Sequence, residues 1–218
     1  MRPIVTFCAA LVLAAAAVPG FAEEQATPAA STAPIPAGAY KLDKAHASLL
    51  FRVDHLGFSK YTGRFATFDA ELQFDPVNPA ASSVKVTIDP RSLQLENPPE
   101  GFIATLLGAQ WLDAEKFPQM TFRSTKVARS GTDLRIDGDM TLHGVTQPMT
   151  LVAKFNGGYA GHPYDPNARI GFSARGTLER SAFGVAYGIP APGTTMGVSD
   201  AVEVIVEAEF TGPPLPKK

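Results

Sequence analysis

Apolar side chains recur at every second position through most of this chain, and this period constrains the fold more than any other feature. In residues 65–74, one side of the pattern consists of Ala66, Phe68, Ala70, Leu72 and Phe74. Such alternation is typical of a β-strand with one buried face. The same period recurs in segments 49–55, 84–89, 120–125, 134–142, 149–155, 170–178 and 202–210. We therefore predict an all-β antiparallel fold of about eight strands.

The alternation alone fits either a β-sandwich or a closed barrel. The inward positions also mix phenylalanines with small residues, namely Ala66, Ala70, Gly138, Ala153, Ala174, Gly176 and Ala208. Small residues on a barrel lining leave volume, and a barrel of about eight strands has room for one small ligand. Large and small residues also alternate in a barrel that is filled by its own side chains. A packed core and an apolar cavity therefore both remain open on these residues.

Residues 101–110 are the exception to the period of two. The apolar residues of this segment are spaced as on one face of a helix, namely Phe102, Ile103, Leu106 and Leu107. This spacing predicts one short helix. Because a helix with a single apolar stripe must bury that stripe, we expect the helix, with Trp111 and Phe117, to cover one end of a barrel.

The two ends of the chain differ from its middle. Arg2, an apolar run from Ile4 to Val18 and the small residues up to Ala22 are typical of a secretory signal peptide, residues 1–22. The run falls short of the roughly 18 residues that a membrane span requires. Residues 23–39, rich in alanine, proline and threonine, are predicted to form a flexible tether, and 212–218 a disordered tail. The folded domain is then 40–211.

Composition excludes several classes of protein. The formal net charge is −2 and the chain contains no run of like charges, so we predict no nucleic-acid partner. The single cysteine, Cys8, lies in the predicted signal peptide. Neither a disulfide framework nor a cysteine-based zinc site is therefore possible in the folded domain.

The polar residues do not form a recognisable catalytic or metal-binding motif. No two of the four histidines stand at the spacing of paired metal ligands; they are His46, His55, His143 and His162. Ser173 lies within a predicted strand, not at the strand–turn–helix elbow of a hydrolase nucleophile. His55 extends the apolar face of its strand, so it is either a core histidine with a buried partner or a polar contact for a ligand. We predict no enzymatic activity, no cofactor and no metal.

Four groups of motifs follow one another between residues 40 and 210. They are Tyr40–His46 with Phe51, Val53, His55, Gly57, Gly63 and Phe65; Trp111–Pro118 with Thr121–Thr125; Gly138–Thr146 with Pro148 and Leu151; and Arg180–Gly184 with Ser199, Asp200, Val202, Glu207 and Glu209. In this order and spacing they resemble the YceI-like family of bacterial periplasmic, lipocalin-like proteins. The resemblance implies an extended antiparallel barrel around an apolar tunnel that holds a long polyisoprenoid, such as the tail of a quinone-like lipid, in the periplasm.

This resemblance, together with the inward positions, gives an expected site. We expect Phe51, Phe68, Phe122 and Phe172 to line one continuous cavity with His55 as one of its few polar groups. The predicted ligand-binding residues are Phe51, His55, Phe68, Trp111, Phe122 and Phe172. Family members often have a histidine in the helix before Trp111, where this chain has Thr105. The resemblance therefore implies that a different head group could be bound here.

The expected function is that of a periplasmic carrier of an apolar lipid, without catalysis. Two alternatives remain open. One is a filled barrel that serves as an interaction module, and the other is an enzyme acting on a bound apolar substrate, with His55 or Arg180 as its acid–base or anion-stabilising group. Beyond the lipid, we expect no integral membrane span and a monomer or homodimer.

Overall fold

The computed structural model describes residues 34–161 and 164–214, and the predicted signal peptide lies outside these ranges. Within them the chain forms strands and one short α-helix, as the period of two predicts. The elements are β1 Gly38–His55, β2 Ser59–Phe65, β3 Phe68–Phe74, β4 Ser83–Ile88, β5 Leu93–Leu95, α1 Phe102–Leu107, β6 Met120–Ser130, β7 Asp133–Leu142, β8 Val145–Tyr159, β9 Asn167–Glu179 and β10 Val198–Pro214. The all-β prediction is confirmed.

The sheet closes on itself to form a barrel. Its antiparallel strands follow the order β10, β9, β8, β7, β6, β4, β3 and β1, and β1 returns to pair with β10. This ring contains the eight strands that the sequence predicts, and the strands β2 and β5 extend from β1 beyond it. The closed barrel, one of the two architectures compatible with the alternation, is therefore the correct one.

The first strand reaches both ends of the barrel, because it is 18 residues long. Residues 38–41 pair with β3, whereas residues 50–55 pair with β2. The other edge of β1 pairs with β10 along most of its length. On one side of β1 the wall is therefore built by β3 and β4 towards the far end and by β2 and β5 towards the end where α1 lies.

One predicted strand, 65–74, is broken in the structure. β2 ends at Phe65 and β3 begins at Phe68, so Ala66 is exposed in the connection and does not face inward. The backbone of this connection is held by Ser92, whose carbonyl oxygen accepts from the Ala66 amide (3.1 Å) and whose hydroxyl accepts from the Thr67 amide (3.0 Å). These contacts between distant residues turn the chain in spite of its regular alternation.

The predicted limits of the folded domain were slightly too narrow. β1 begins at Gly38, and the Tyr40 hydroxyl donates to the Pro36 carbonyl oxygen at 2.7 Å. At the other end β10 continues to Pro214, which pairs with Asn167 after a register shift, so the prediction of a tail from residue 212 was wrong for its first three residues. Gly212 makes this extension possible because a side chain there would overlap the Tyr40 ring.

An aromatic cluster fills the far end of the barrel, where β1 begins and β3 ends. Phe74 lies 5.9 Å from Phe155 and 5.8 Å from Phe172 between ring centroids. Tyr40 and Phe210 complete the cluster and are buried. Edge-to-face and stacked contacts of this kind add about 0.5 to 1.5 kcal/mol each to the burial of the rings. The packed part of the interior therefore lies at this end.

An ionic cluster outside the barrel holds the irregular part of β1. The register of β1 against β10 shifts between Leu42 and Ala47, and Asp43 lies in this bulge. One oxygen of Asp43 accepts from Arg169 on β9 at 2.5 Å and contacts the His46 ring nitrogen at 3.0 Å. These hydrogen bonds lower the pKa of Asp43 to about 2, and the bond from Arg169 makes the largest contribution.

Asp43→Asn tests the contribution of this cluster. The variant is expected to lose about 1 kcal/mol of unfolding free energy at pH 7, because Arg169 loses a charged acceptor. A carboxyl group whose pKa is lowered by folding stabilises the protein above its unfolded pKa of 3.8, and that stabilisation disappears as the pH falls through about 2. Urea denaturation should therefore show a difference from wild type that shrinks between pH 4 and pH 2.

The control is Asp139→Asn, which removes one exposed charge from β7. It is expected to change the unfolding free energy little at either pH. A deficit of Asp43→Asn that stays the same down to pH 2 would contradict the ionic explanation.

Candidate functional site

A large cavity of about 770 Å³ occupies the half of the barrel nearest α1. Its wall is mostly apolar and is built from both aliphatic and aromatic side chains. The lining residues include three methionines. They are part of a set that contains Phe51, Val53, Met120, Phe122, Met140, Met149, Val202 and Val204. A small cavity of about 110 Å³ lies closer to the aromatic cluster. Most of the open volume of the interior therefore lies at the α1 end of the barrel.

The two cavities meet at a common wall. Four aliphatic residues from four different strands line both of them, namely Leu49, Val86, Leu151 and Val206. These side chains come from around the ring, so the two cavities adjoin at this level of the barrel. One continuous cavity lined by all four phenylalanines stays a prediction.

The small inward residues contribute to the cavities in two ways. Ala70, Ala153, Ala174 and Ala208 line the small cavity, so these alanines do leave volume in the interior. Gly138 and Gly176 do not, since an added Cβ would come within 2.6 Å of the Phe122 ring at Gly138 and within 2.8 Å of the Leu151 side chain at Gly176. These two glycines instead leave room for the Phe122 ring and the Leu151 side chain.

The six residues predicted to bind a ligand divide between the two cavities. Phe51, His55, Trp111 and Phe122 line the large cavity. Phe68 and Phe172 line the small cavity. Their role in ligand binding stays a prediction.

His55 lies at the mouth of the large cavity, which we define as the solvent-accessible end lined by His55, Leu56, Glu96, Asn97 and Tyr187. Its side chain is exposed and its ring centroid lies 6.5 Å from that of Tyr61. The alternative of a core histidine with a buried partner is therefore wrong. The reason is position, because the face of β1 that is buried at Leu49 reaches solvent at the end of the strand.

The predicted placement of the helix is confirmed at one edge of this mouth. α1 is shorter than the segment 101–110, but Phe102 and Leu106 line the large cavity one helical turn apart. Trp111 also lines it, whereas Phe117 packs against the His143 ring at 4.8 Å. His143 follows Leu142, which lines the large cavity, so this contact lies at the same end of the barrel, and a covering role for Phe117 stays a prediction.

Thr105 points away from the cavity. It is exposed, it is absent from the lining, and its hydroxyl donates to the Gly101 carbonyl oxygen at 3.3 Å. In this structure, therefore, Thr105 has no contact through which it could select a head group inside the large cavity.

Arg180 is the buried charge of the site, with only 4% of its surface exposed. It follows β9 in a short 3-10 turn, Arg180–Phe183, and lines the large cavity. Its guanidinium donates to four carbonyl oxygens, those of Val185 (2.8 Å), Tyr187 (2.9 Å), Val198 (2.9 Å) and Ser199 (2.9 Å). Burial lowers its pKa, because desolvation disfavours the charged form.

These bonds determine the shape of the mouth. Val185 and Tyr187 lie near the start of the segment 184–197, which we call the mouth loop, and Val198 and Ser199 directly follow its end. Arg180 therefore fixes both ends of this loop to one side chain. The guanidinium also lies 5.2 Å from the Trp111 ring, and Trp111 contacts Tyr187 at 5.5 Å. The sequence signalled Arg180 only through its motif; nothing in the alternation indicated a buried arginine.

One group of potential metal ligands lies outside the barrel. Oxygen and nitrogen atoms of Asp43, His46 and Glu209 are within 4.8 Å of one another. The Arg169 guanidinium already lies among them, at 2.5 Å from Asp43 and 3.6 Å from Glu209. Because this positively charged guanidinium already lies in the cluster, we assign no metal site to it.

A closed antiparallel barrel with an apolar cavity and a helix at its mouth defines a lipocalin-like architecture. Comparison with known families then identifies the particular lineage. The YceI-like domain matches residues 40–210, and the chain belongs to the YceI-like family.

Relatives support the same assignment. Protein YceI of Escherichia coli is 39% identical over 175 residues, covering 78% of this chain and 85% of the relative. The crystal structure of Burkholderia cenocepacia BcnA has a TM-score of 0.66 at 25% identity and covers 77% of this chain and 98% of BcnA. A polyisoprenoid binding domain from Saccharophagus degradans shares the fold, with a TM-score of 0.55 at 14% identity over 80% of this chain and 98% of that domain.

Over residues 34–161 and 164–214, no helix reaches the length and apolarity that a bilayer span requires.

Arg180→Lys tests whether the guanidinium organises the mouth. An ammonium group cannot reproduce the fork that serves four carbonyl oxygens, so buried acceptors lose their donors. The variant is expected to lose about 2 kcal/mol or more of unfolding free energy in urea titrations. Limited proteolysis should also cut the mouth loop faster than in wild type.

The matched control is Arg175→Lys on the preceding strand. Arg175 is exposed and lies 3.5 Å from Glu203, so its replacement should cost little. Equal losses in the two variants would contradict the special role of Arg180.

Proposed function

We propose that this protein binds and carries a long apolar lipid of the polyisoprenoid type in its barrel, without catalysis, after export to the periplasm. The large apolar cavity is the observation that carries the proposal. At about 770 Å³ it is within the range of roughly 300 to 1,000 Å³ typical of small-molecule sites. Its wall offers hydrocarbon contacts over most of its surface.

The energetics of such a wall favour hydrocarbon chains. Each methylene that leaves water is worth about 0.8 kcal/mol, so a five-carbon isoprene unit contributes up to about 4 kcal/mol before ordering costs. A few buried units therefore suffice for tight binding. A lipid of this kind has little solubility in water, and a protein that encloses it can move it through an aqueous compartment.

The comparisons support the class of ligand in a limited way. Membership of the YceI-like family is consistent with a binding barrel, and the Saccharophagus degradans domain with the same fold is described as binding polyisoprenoids. That likeness concerns the fold alone, since the two sequences are only 14% identical. The ligand of this chain therefore has to be identified directly.

The cavity also bears on the two alternatives. A barrel filled by its own side chains would leave no space of this size, so the large cavity argues against the interaction module. The enzymatic alternative receives no specific support from its two named residues. His55 is exposed at the mouth, and four N–H donations from Arg180 go to backbone carbonyl oxygens.

Val204→Asp tests lipid binding inside the large cavity. Val204 faces the cavity from β10, and an unpaired carboxylate against hydrocarbon costs several kcal/mol. Organic extraction of the purified periplasmic protein, followed by mass spectrometry, should detect an isoprenoid lipid in wild type. The variant should contain at least about tenfold less, since about 1.4 kcal/mol corresponds to a factor of ten.

The control is Thr177→Asp, an exposed position on the neighbouring strand β9. It is expected to retain wild-type lipid content. Circular dichroism would verify that both variants are folded. Wild-type protein without any isoprenoid, or equal lipid content in folded Val204→Asp, would refute the proposal.

Export has a separate test. Protein recovered from the periplasm is expected to begin at Glu23, because the signal peptide should be cleaved after Ala22. N-terminal sequencing that starts at Met1, or recovery of the protein from the cytoplasm alone, would contradict this localisation.

A further inference from the structure

We propose that the rim of the large cavity is a membrane-docking surface, which touches a bilayer of zwitterionic headgroups without net charge while lipid enters or leaves. The surface consists of the mouth loop, 184–197, and Phe58 at the tip of the hairpin between β1 and β2. This proposal rests on the proposed lipid-binding function. It adds the place of exchange and the chemistry of the partner.

The composition of the mouth loop is the first observation. Residues 182–199 contain no aspartate, glutamate, lysine, arginine or histidine, although 18% of the whole chain is charged. Surface loops of water-soluble proteins are usually polar, because they face solvent on most sides. An exposed loop without charge is suited to a partner that is itself uncharged.

The exposure of large apolar side chains is the second observation. Phe58 is 84% exposed, Met196 is 73% exposed and Tyr187 is 56% exposed. Single exposed apolar residues are ordinary on protein surfaces, whereas a group of them around one opening marks an interaction site. Aromatic and methionine side chains can enter the boundary between headgroups and acyl chains, and tyrosine is common at that depth.

Hydrogen bonds and contacts bring these residues together at one rim. The Leu56 amide donates to the Gly197 carbonyl oxygen at 2.9 Å, and a Cβ added at Gly57 would lie 3.1 Å from the Thr195 side chain. The Val198 amide donates to the Gly188 carbonyl oxygen at 2.8 Å. The hairpin tip therefore touches one arm of the mouth loop, and that arm is joined to the other beside Tyr187.

The two most exposed apolar side chains of the rim do not belong to the cavity lining. Leu56, Gly188 and Gly197 line the large cavity, whereas Phe58 and Met196 do not. Arg180 anchors both ends of the loop, so Met196 can project outward from a fixed base. Lipid leaving the cavity would pass directly between these side chains into whatever surface they touch.

The charges near the rim favour a zwitterionic surface over an anionic one. A polybasic segment would be expected at an anionic membrane, and the mouth loop contains no lysine or arginine. On the hairpin, Lys60 lies 3.9 Å from Asp54, which offsets its charge. Glu96 adds an exposed negative charge at the mouth. Attachment through a few apolar side chains is weak and reversible, as a carrier requires.

The test measures lipid transfer with the full exported protein. Protein is loaded with ubiquinone from phosphatidylcholine vesicles, and its release to acceptor vesicles of pure phosphatidylcholine is followed by extraction. The double variant Phe58→Ser/Met196→Ser should transfer ubiquinone at least about tenfold more slowly. The reason is that each of the two side chains strengthens membrane attachment on the order of tenfold when it leaves water. Its ubiquinone content at equilibrium should equal that of wild type, since neither residue lines the cavity.

Val77→Ser is the matched control, because Val77 is 87% exposed on the connection between β3 and β4, at the far end of the barrel. It should transfer at the wild-type rate. Normal ubiquinone content with an unchanged transfer rate in the double variant would overturn docking while leaving lipid binding intact. Absence of ubiquinone from wild type would instead overturn the proposed function on which docking rests.

Two further outcomes decide the nature of the partner. Transfer that requires anionic phosphatidylglycerol and is abolished by salt would overturn the proposal that the partner membrane carries no net charge. A wild-type dimer in sedimentation that the double variant converts to a monomer would show that a second copy covers the rim, and this too would overturn the proposal.

Discussion

The pairing of β1 with β10 is the constraint on which the rest of the structure depends. It converts a row of antiparallel strands into a ring, and without it the two strands would expose unpaired edges and no enclosed interior would exist. β1 can do this over both halves of the barrel because its 18 residues extend about 60 Å at roughly 3.3 Å per residue. Its irregular segment is then tied down from outside by Asp43 and Arg169.

The same ring leaves two ends that must be finished differently. Aromatic side chains fill the end where β1 begins, and the other end keeps a large cavity under α1 and the mouth loop. A buried guanidinium holds that loop through backbone carbonyl oxygens, so the opening is shaped without closing it. Arg180 is costly to bury, and the four acceptors around it offset the loss of hydration.

Alternation predicted the strands that form the ring, because each buries one face and exposes the other. It missed β5, which has only three residues, and all of β2 except Phe65. It also continued β3 back to Phe65, although Ser92 holds the connection between β2 and β3 from a distant part of the chain. The inward faces of Phe51 and Phe122 could be predicted from the same period. The meeting of the two cavities at Leu49 and Leu151 and the four acceptors of Arg180 could not, since both arise from residues that come together only in the closed barrel.

The methionines of the large cavity have a consequence for selectivity. Met120, Met140 and Met149 form part of its wall, and their unbranched thioether side chains can adopt many rotamers at little cost. These three side chains give one part of the wall more freedom to adjust than the valines and leucines around it have. For the proposed lipid, this local freedom would let the cavity accept hydrocarbon chains that differ in the positions of their double bonds and methyl branches.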